Sequence, residues 1–186
     1  MTTGTTGTAA GPSPARLATL IALPVAVIVG IVFFWLLGGF RGDQAERPGP
    51  QSTAPVSMAA PPLDARQAAA CRDLTTHLPD ALRDRPRRPV TAGDGQNAAY
   101  GDPAITLACG VPPVSLPPGA EVYGLSGVCW YSQSDGGATR WTTVDRDTSV
   151  QVTVPRSYSA PGQWVIEFSG PITATLPRSA NTPAGC

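Results

Sequence analysis

Thirteen side chains carry a carboxylate and thirteen a guanidinium; lysine is absent, and histidine occurs once, as His77. This inventory excludes more chemistry than it offers. Without Lys there is no Walker A loop, no Schiff base and no Ser–Lys dyad. One His cannot build a two- or three-His metal centre within one chain. GxSxG, HExxH and GxGxxG are missing from the sequence, so no catalytic residue, metal or cofactor is assigned. The groups left for acid–base work are carboxylates, with Asp102, Asp145, Asp147, Glu121 and Glu167 as candidates. Asp145 and Asp147 flank Arg146 two positions apart, a spacing that could share a strand face but reads locally as a turn.

Two constellations could face a ligand. Tyr100-Gly101-Asp102-Pro103 is the most motif-like loop. Asp102 and Tyr100 could present a carboxylate and a phenol there, although Asp-Pro after Gly is also ordinary turn chemistry leading into a strand. Arg83, Arg85, Arg87 and Arg88 form a cluster able to grip phosphate or carboxylate, or to stand as a solvated, partly paired surface beside Asp80 and Asp84. Trp130, Trp141 and Trp164 could stack on sugars, but core packing is their expected role. His77 falls at a helix end, near its C-terminal dipole.

The four cysteines are Cys71, Cys109, Cys129 and Cys186. No CxxC occurs, which argues against a zinc knuckle or a thioredoxin-like motif. Four cysteines allow three pairings. The preferred one is Cys109–Cys129, joining two candidate neighbouring strands, with Cys71–Cys186 tying the first helix to the last residue. An even set of paired cysteines implies an oxidising compartment.

Several elements must position these groups. Residues 17–37 contain no charged residue, and at a rise of about 1.5 Å per residue they suffice to span a hydrocarbon core of ~30 Å. The run is longer than a signal-peptide core and lacks a small-x-small site, so an uncleaved signal anchor over 17–40 is expected, with the lipid bilayer as its partner. Low-complexity residues 1–16 precede it. A Pro/Ala/Gly-rich spacer over 41–62 follows, and residues 63–186 form the folded domain. Flanking charge alone does not orient the helix. The cysteines favour a cytoplasmic N-terminus and an extracytoplasmic C-terminal domain. A formal net charge of +0 gives no field to attract nucleic acid.

Within the domain, Asp64 is a good N-cap for a helix to Leu78, with Cys71, Leu74, Leu78 and Leu82 as its stripe. Pro79 should bend it into a second helical turn over Pro79–Arg85. Residues 92–97 read as a Gly/Asn loop. Strands are expected at Ile105–Cys109, Val122–Tyr131, Arg140–Val144 and Val150–Val154, with a turn at Asp135-Gly136-Gly137. Gln163–Phe168 fits strand or helix, and Pro171–Leu176 a short helix. The expected fold class is α+β: one transmembrane helix, then a small domain with a helical hairpin packed on an antiparallel or mixed sheet.

The segments ACRDLTTHLPDAL, RRPVT, AAYGDPAITLACGVP, GVCW and WTTVDRDTSVQVTVP resemble a family of actinobacterial membrane proteins catalogued as domain of unknown function 3515. The likeness covers roughly residues 70–176. It implies a membrane-anchored extracytoplasmic protein of the cell envelope and no particular activity. It also implies an Asp at the position of Cys129 and a Cys near residues 121–123, so the thiol here is displaced along the chain.

Two functions follow as expectations. The favoured one is a non-enzymatic envelope module that binds a partner protein or a cell-wall component. The alternative is an extracytoplasmic carboxylate-dependent hydrolase or transferase acting on a cell-wall component. A deep pocket holding two or more of the five candidate carboxylates would favour the enzyme. A shallow surface with an aromatic or Arg patch would favour binding.

Overall fold

The computed structural model describes residues 27–33, 51–183 and 185–186. The chain divides into two units, residues 1–49 and 50–186. In the first, residues 27–33 are helical with exposed side chains. Among the described residues no helix is long and apolar enough to cross a membrane. Most of the expected span over 17–40 lies outside the described residues.

The second unit is a predominantly antiparallel α+β domain. Helix α1 (Ala65–His77) opens on a capping box: Asp64 accepts from Gln67 N–H, and the Gln67 side chain answers the Asp64 N–H. That reciprocal cap satisfies main-chain donors that a helix start leaves orphaned. Eight strands follow: β1 (Ala81–Leu82), β2 (Arg85–Arg88), β3 (Asn97–Tyr100), β4 (Ile105–Cys109), β5 (Val122–Leu125), β6 (Val128–Ser134), β7 (Ala138–Thr143) and β8 (Val150–Pro155). Helix α2 (Pro161–Thr175) comes last. The sheet order is β1-β2-β3-β4-β8-β7-β6-β5, with every pair antiparallel. Two meanders are thus joined where β8 returns beside β4, and the Pro-rich chain after β4 carries the crossover to the far edge.

Several expectations are corrected. Pro79 ends the first helix rather than bending it, and the chain turns into the β1–β2 hairpin. The helical pair is therefore α1 with α2, far apart in sequence, and not a local hairpin. The expected Val122–Tyr131 strand is two strands, because Ser126 and Gly127 both take positive φ, 47° and 82°, and reverse the chain. Residues 163–175 belong to one helix, with Pro171 inside it and Leu176 as its C-cap. Trp164, Val165, Phe168 and Ile172 are buried at helical spacing; this packing outweighs an interior proline, which costs about 3 kcal/mol.

Helices α1 and α2 cover one face of the sheet. Ile105, Leu107 and Cys109 alternate toward it from β4, and Val150, Val152 and Val154 from β8, all at 0–1% exposure. Trp130, Tyr100, Leu74 and Phe168 complete this core. The opposite face is unusually covered as well. Residues 51–62, expected as part of a flexible or partly extended spacer, lie against it as a strap. Val56 bridges Val90, Arg88 donates to Ala54 O at 2.7 and 3.1 Å, and Asn97 Nδ2 donates to Ala59 O at 2.9 Å. Burial of all four β3 residues follows from cover on both sides.

The disulfides are Cys71–Cys109 and Cys129–Cys186, so the expected pairing is overturned. Cys109 and Cys129 stand on β4 and β6, with β8 and β7 between them. At ~4.8 Å per strand that separation is about 14 Å, beyond a disulfide's reach. They also face opposite ways, since Cys109 points to the helices while Cys129 adjoins inward-facing Trp130. Cys71, buried on α1, meets Cys109 directly beneath it. Cys186 instead meets Cys129 on the other side.

Candidate functional site

The β1–β2 turn presents the arginines, and the structure splits them. Arg83, in the left-handed region at φ 55°, sits 4.8 Å over the Trp164 ring. Its Nε donates to Glu167 Oε1 at 3.1 Å and its Nη2 to Gln163 O at 3.0 Å. Arg85 lies 5.6 Å over Tyr158, with Asp84 Oδ1 at 3.3 Å. Arg87 alternates to the helical side and donates to Thr75 O at 3.2 Å. Arg88 alternates to the strap side, donating to Gly101 O at 2.8 Å with Asp102 at 3.8 Å.

The Tyr100–Pro103 loop meets these side chains. Asp102 is exposed and precedes a cis Pro103. Tyr158 closes the corner: its hydroxyl donates to Pro103 O at 2.7 Å, and its ring meets Trp164 edge-on at 5.0 Å. Gly101, at φ 70°, has no room for a Cβ, which would fall 2.9 Å from the Tyr158 hydroxyl. Tyr100 is 0% exposed and donates to Pro79 O at 2.9 Å; burial pushes its phenol up to about 12. Arg83, Arg85, Arg88 and Asp102 are thus brought to one corner, while Tyr100 and Arg87 face the core. Glu167, Asp84 and Asp102 each stand against one of the three corner arginines, so the corner is a neutral ion-pair network rather than a bare cationic patch.

One of the candidate carboxylates is the most buried charge among the described residues. Asp145, read as part of a turn, is 0% exposed. Its Oδ1 accepts the Cys129 N–H at 3.1 Å. Its Oδ2 lies 3.3 Å from Arg146 Nη1 and 3.4 Å from Arg178 Nη2. Arg146 is itself buried and donates to Gly127 O at 2.7 Å; burial pulls its pKa down, against the pull of Asp145. The Asp145 carbonyl accepts from Ser179 N–H at 3.0 Å. Asp145 therefore fastens the C-terminal tail to β6. Asp147 instead faces solvent and pairs with Arg66 at 3.3 Å, so the two do not form a catalytic pair.

Two cavities adjoin the domain's surface layers. One, of about 360 Å³, lies between the strap and the sheet, walled by Ser57, Met58, Thr106, Ala108, Gln151 and Thr153 among others. The second, of about 260 Å³, lies between residues 113–116, the β7–β8 loop and the tail, with Arg146, Ser149, Ser179 and Asn181 in its wall. Neither wall contains a carboxylate. Glu121 accepts from Tyr123 at 3.0 Å and Glu167 is held by Arg83. His77 is exposed beside Asp73, 3.4 Å away. Among the described residues no three His, Cys, Asp or Glu groups converge as a metal site. Trp130, Trp141 and Trp164 are all buried, so none offers an open stacking face.

No curated protein and no solved structure matches the chain. A family model does match, over residues 21–181, a longer stretch than the motifs alone span. It carries the crossover, both meanders, both helices and three of the four cysteines, and on that extent the chain belongs to the family described as Protein of unknown function (DUF3515).

Proposed function

We propose that the chain is a non-enzymatic module of an actinobacterial cell envelope, anchored by one membrane-spanning segment over 17–40 with its domain outside the cytoplasm. Its domain binds an envelope protein or a cell-wall component. The observation that carries this reading is the strap cavity. It is about 360 Å³, and its walls hold hydroxyl, amide, thioether and methyl groups without a charged side chain. Such a wall can hold a neutral polar ligand by hydrogen bonds and apolar contact but supplies no strong acid or base. The five carboxylates considered for catalysis are dispersed: Asp145 is locked inside, and Asp102, Asp147, Glu121 and Glu167 are separate surface residues. Two disulfides among the described residues support an oxidising compartment.

The test pairs in-cell crosslinking of the intact protein with retention of soluble peptidoglycan fragments on the purified full chain. Thr106→Trp fills the cavity from the sheet side. The expected result is at least a tenfold loss of fragment or partner capture, with both disulfide-linked peptides still present as a control for folding. Equal capture by the variant, or fragments returned cleaved by the wild type, would overturn the proposal. Orientation is read separately, by adding protease to intact protoplasts: the domain should be shaved off, and full protection would refute the outside placement.

A further inference from the structure

The sheet ends at β5, and this edge has features that fit a second copy of itself. Cys129 uses its N–H on Asp145 and its carbonyl on Val144 N–H, so its main-chain groups face away from β5. Gly124 is its cross-strand partner and Val122 lies two residues back. In an antiparallel ladder, groups alternate between the two sides of a strand. Gly124 and Val122 must therefore turn their N–H and C=O groups to the open edge. Among the described residues nothing pairs with them.

Beside this edge stand the two exposed large apolar side chains among the domain's described residues, Tyr123 at 40% and Ile166 at 38%. Tyr123 projects on the helical side, edge-on to Trp141 at 5.5 Å. Ile166 lies on α2 between Gly162, whose added Cβ would be 3.9 Å from Leu125, and Ser169, whose hydroxyl donates to Leu125 O at 3.0 Å. Residues at that spacing share one helix face, so Ile166 flanks the edge strand.

We infer that β5 pairs antiparallel with β5 of a second copy about a two-fold axis at Tyr123, making a continuous sheet across an isologous dimer. That axis sets Val122 opposite Gly124 of the partner and Gly124 opposite its Val122, so every outward donor meets an acceptor. Gly124 has open space at its Cβ position, which receives the facing Val122 side chain. Tyr123 meets its own counterpart at a non-hydrogen-bonded position, where side chains approach most closely. Glu121 falls opposite Leu125 rather than Glu121, so the acidic residue at the strand's start meets no like charge. A register shifted by two residues in either direction loses these matches. This pairing is independent of the strap cavity, which lies over the central strands β4 and β8 on the face away from the helices.

The experiment uses the full chain in detergent micelles. Sedimentation should give twice the monomer mass, shifting toward monomer on dilution. Tyr123→Cys should form a dimer linked through that residue, because facing cross-strand positions lie within disulfide reach; non-reducing peptide mapping reads the link. Val122→Pro deletes an N–H that has no partner among the described residues, a change edge strands tolerate, and should return the protein to monomer mass with both native disulfides intact. A wild-type monomer at every concentration would overturn the inference. So would a dimer that survives Val122→Pro while Tyr123→Cys fails to crosslink, which would place the contact elsewhere.

Discussion

The two faces of the one sheet are stabilised by different physics. On the helical face, Val150, Val152, Val154, Leu107 and Ile105 meet Leu74, Phe168 and Ile172 in a close-packed apolar layer, with Cys71–Cys109 joining α1 to the sheet inside it. On the other face no helix packs among the described residues. Cover there comes from the strap, the chain after β4 and the tail, fixed by directional bonds that Arg88 and Asn97 donate and Asp145 accepts and by Cys129–Cys186. Apolar burial scales with area and tolerates many sequences. A cover made of hydrogen bonds to main-chain carbonyls depends on a few donors, each of which matters individually.

The sharpest challenge to this contrast is Asp145→Ala. It leaves Arg146, 5% exposed, without a countercharge, so about 3–5 kcal/mol of stability should be lost in urea unfolding. A loss below ~1 kcal/mol would mean that the tail face is not held by this network. On the helical face Leu74→Ala should cost about 3 kcal/mol by cavity formation, with no effect on exchange of the strap amides.

Arg88→Met comes next. Removing its bonds to Ala54 and Gly101 carbonyls should cost about 2 kcal/mol, and exchange should quicken at the Val56 and Thr91 amides, which bond Pro89 O and Val56 O. Unchanged exchange there would show that the strap is held by packing instead. The disulfides distinguish the faces without a stability measurement. Alkylation of native protein should label no cysteine, and Cys186→Ser should free Cys129 while Cys71–Cys109 persists. Release of Cys71 instead would contradict the observed connectivity.

The smallest effect belongs to Asp135 in the β6–β7 turn. Its Oδ1 accepts from Ala138 N–H at 2.9 Å and Gly137 N–H at 3.2 Å. These bonds, with Arg140 nearby, hold its carboxyl below the ordinary carboxylate range. A depressed pKa in the folded state adds stability above the unfolded pKa and loses it as pH falls through the folded one. Carboxyl NMR should show Asp135 protonating below the ordinary carboxylate range, and Asp135→Asn should remove that acid-side loss.

Local chemistry made part of this fold legible. Asp64 and Gln67 specify the start of α1 through side chains three residues apart. Val150, Val152 and Val154 reveal a half-buried strand by period two, and Asp135-Gly136-Gly137 marks the β6–β7 turn. Each of these signals acts within a few residues. By contrast, β3 reads NAAY, with no strand-forming pattern, and is a strand because neighbours cover both its faces. Gln163–Phe168 has apolar residues suited to either period, and became helical because one face could pack on the sheet.

Residue types and their local order are enough to fix the cysteine inventory, the exclusion of lysine- and histidine-rich chemistry, and an α+β domain. Tertiary structure alone decided who meets whom. Pairing of four cysteines depends on strand order, which no local pattern encodes, and strand order placed β8 and β7 between Cys109 and Cys129. The same holds for the charges. The Asp-Arg-Asp stretch over 145–147 looks symmetric in sequence, yet one carboxylate is sealed against Cys129 and the tail while the other meets Arg66 in solvent. Burial is a property of the assembled layers, and only their assembly separates a structural carboxylate from a surface one.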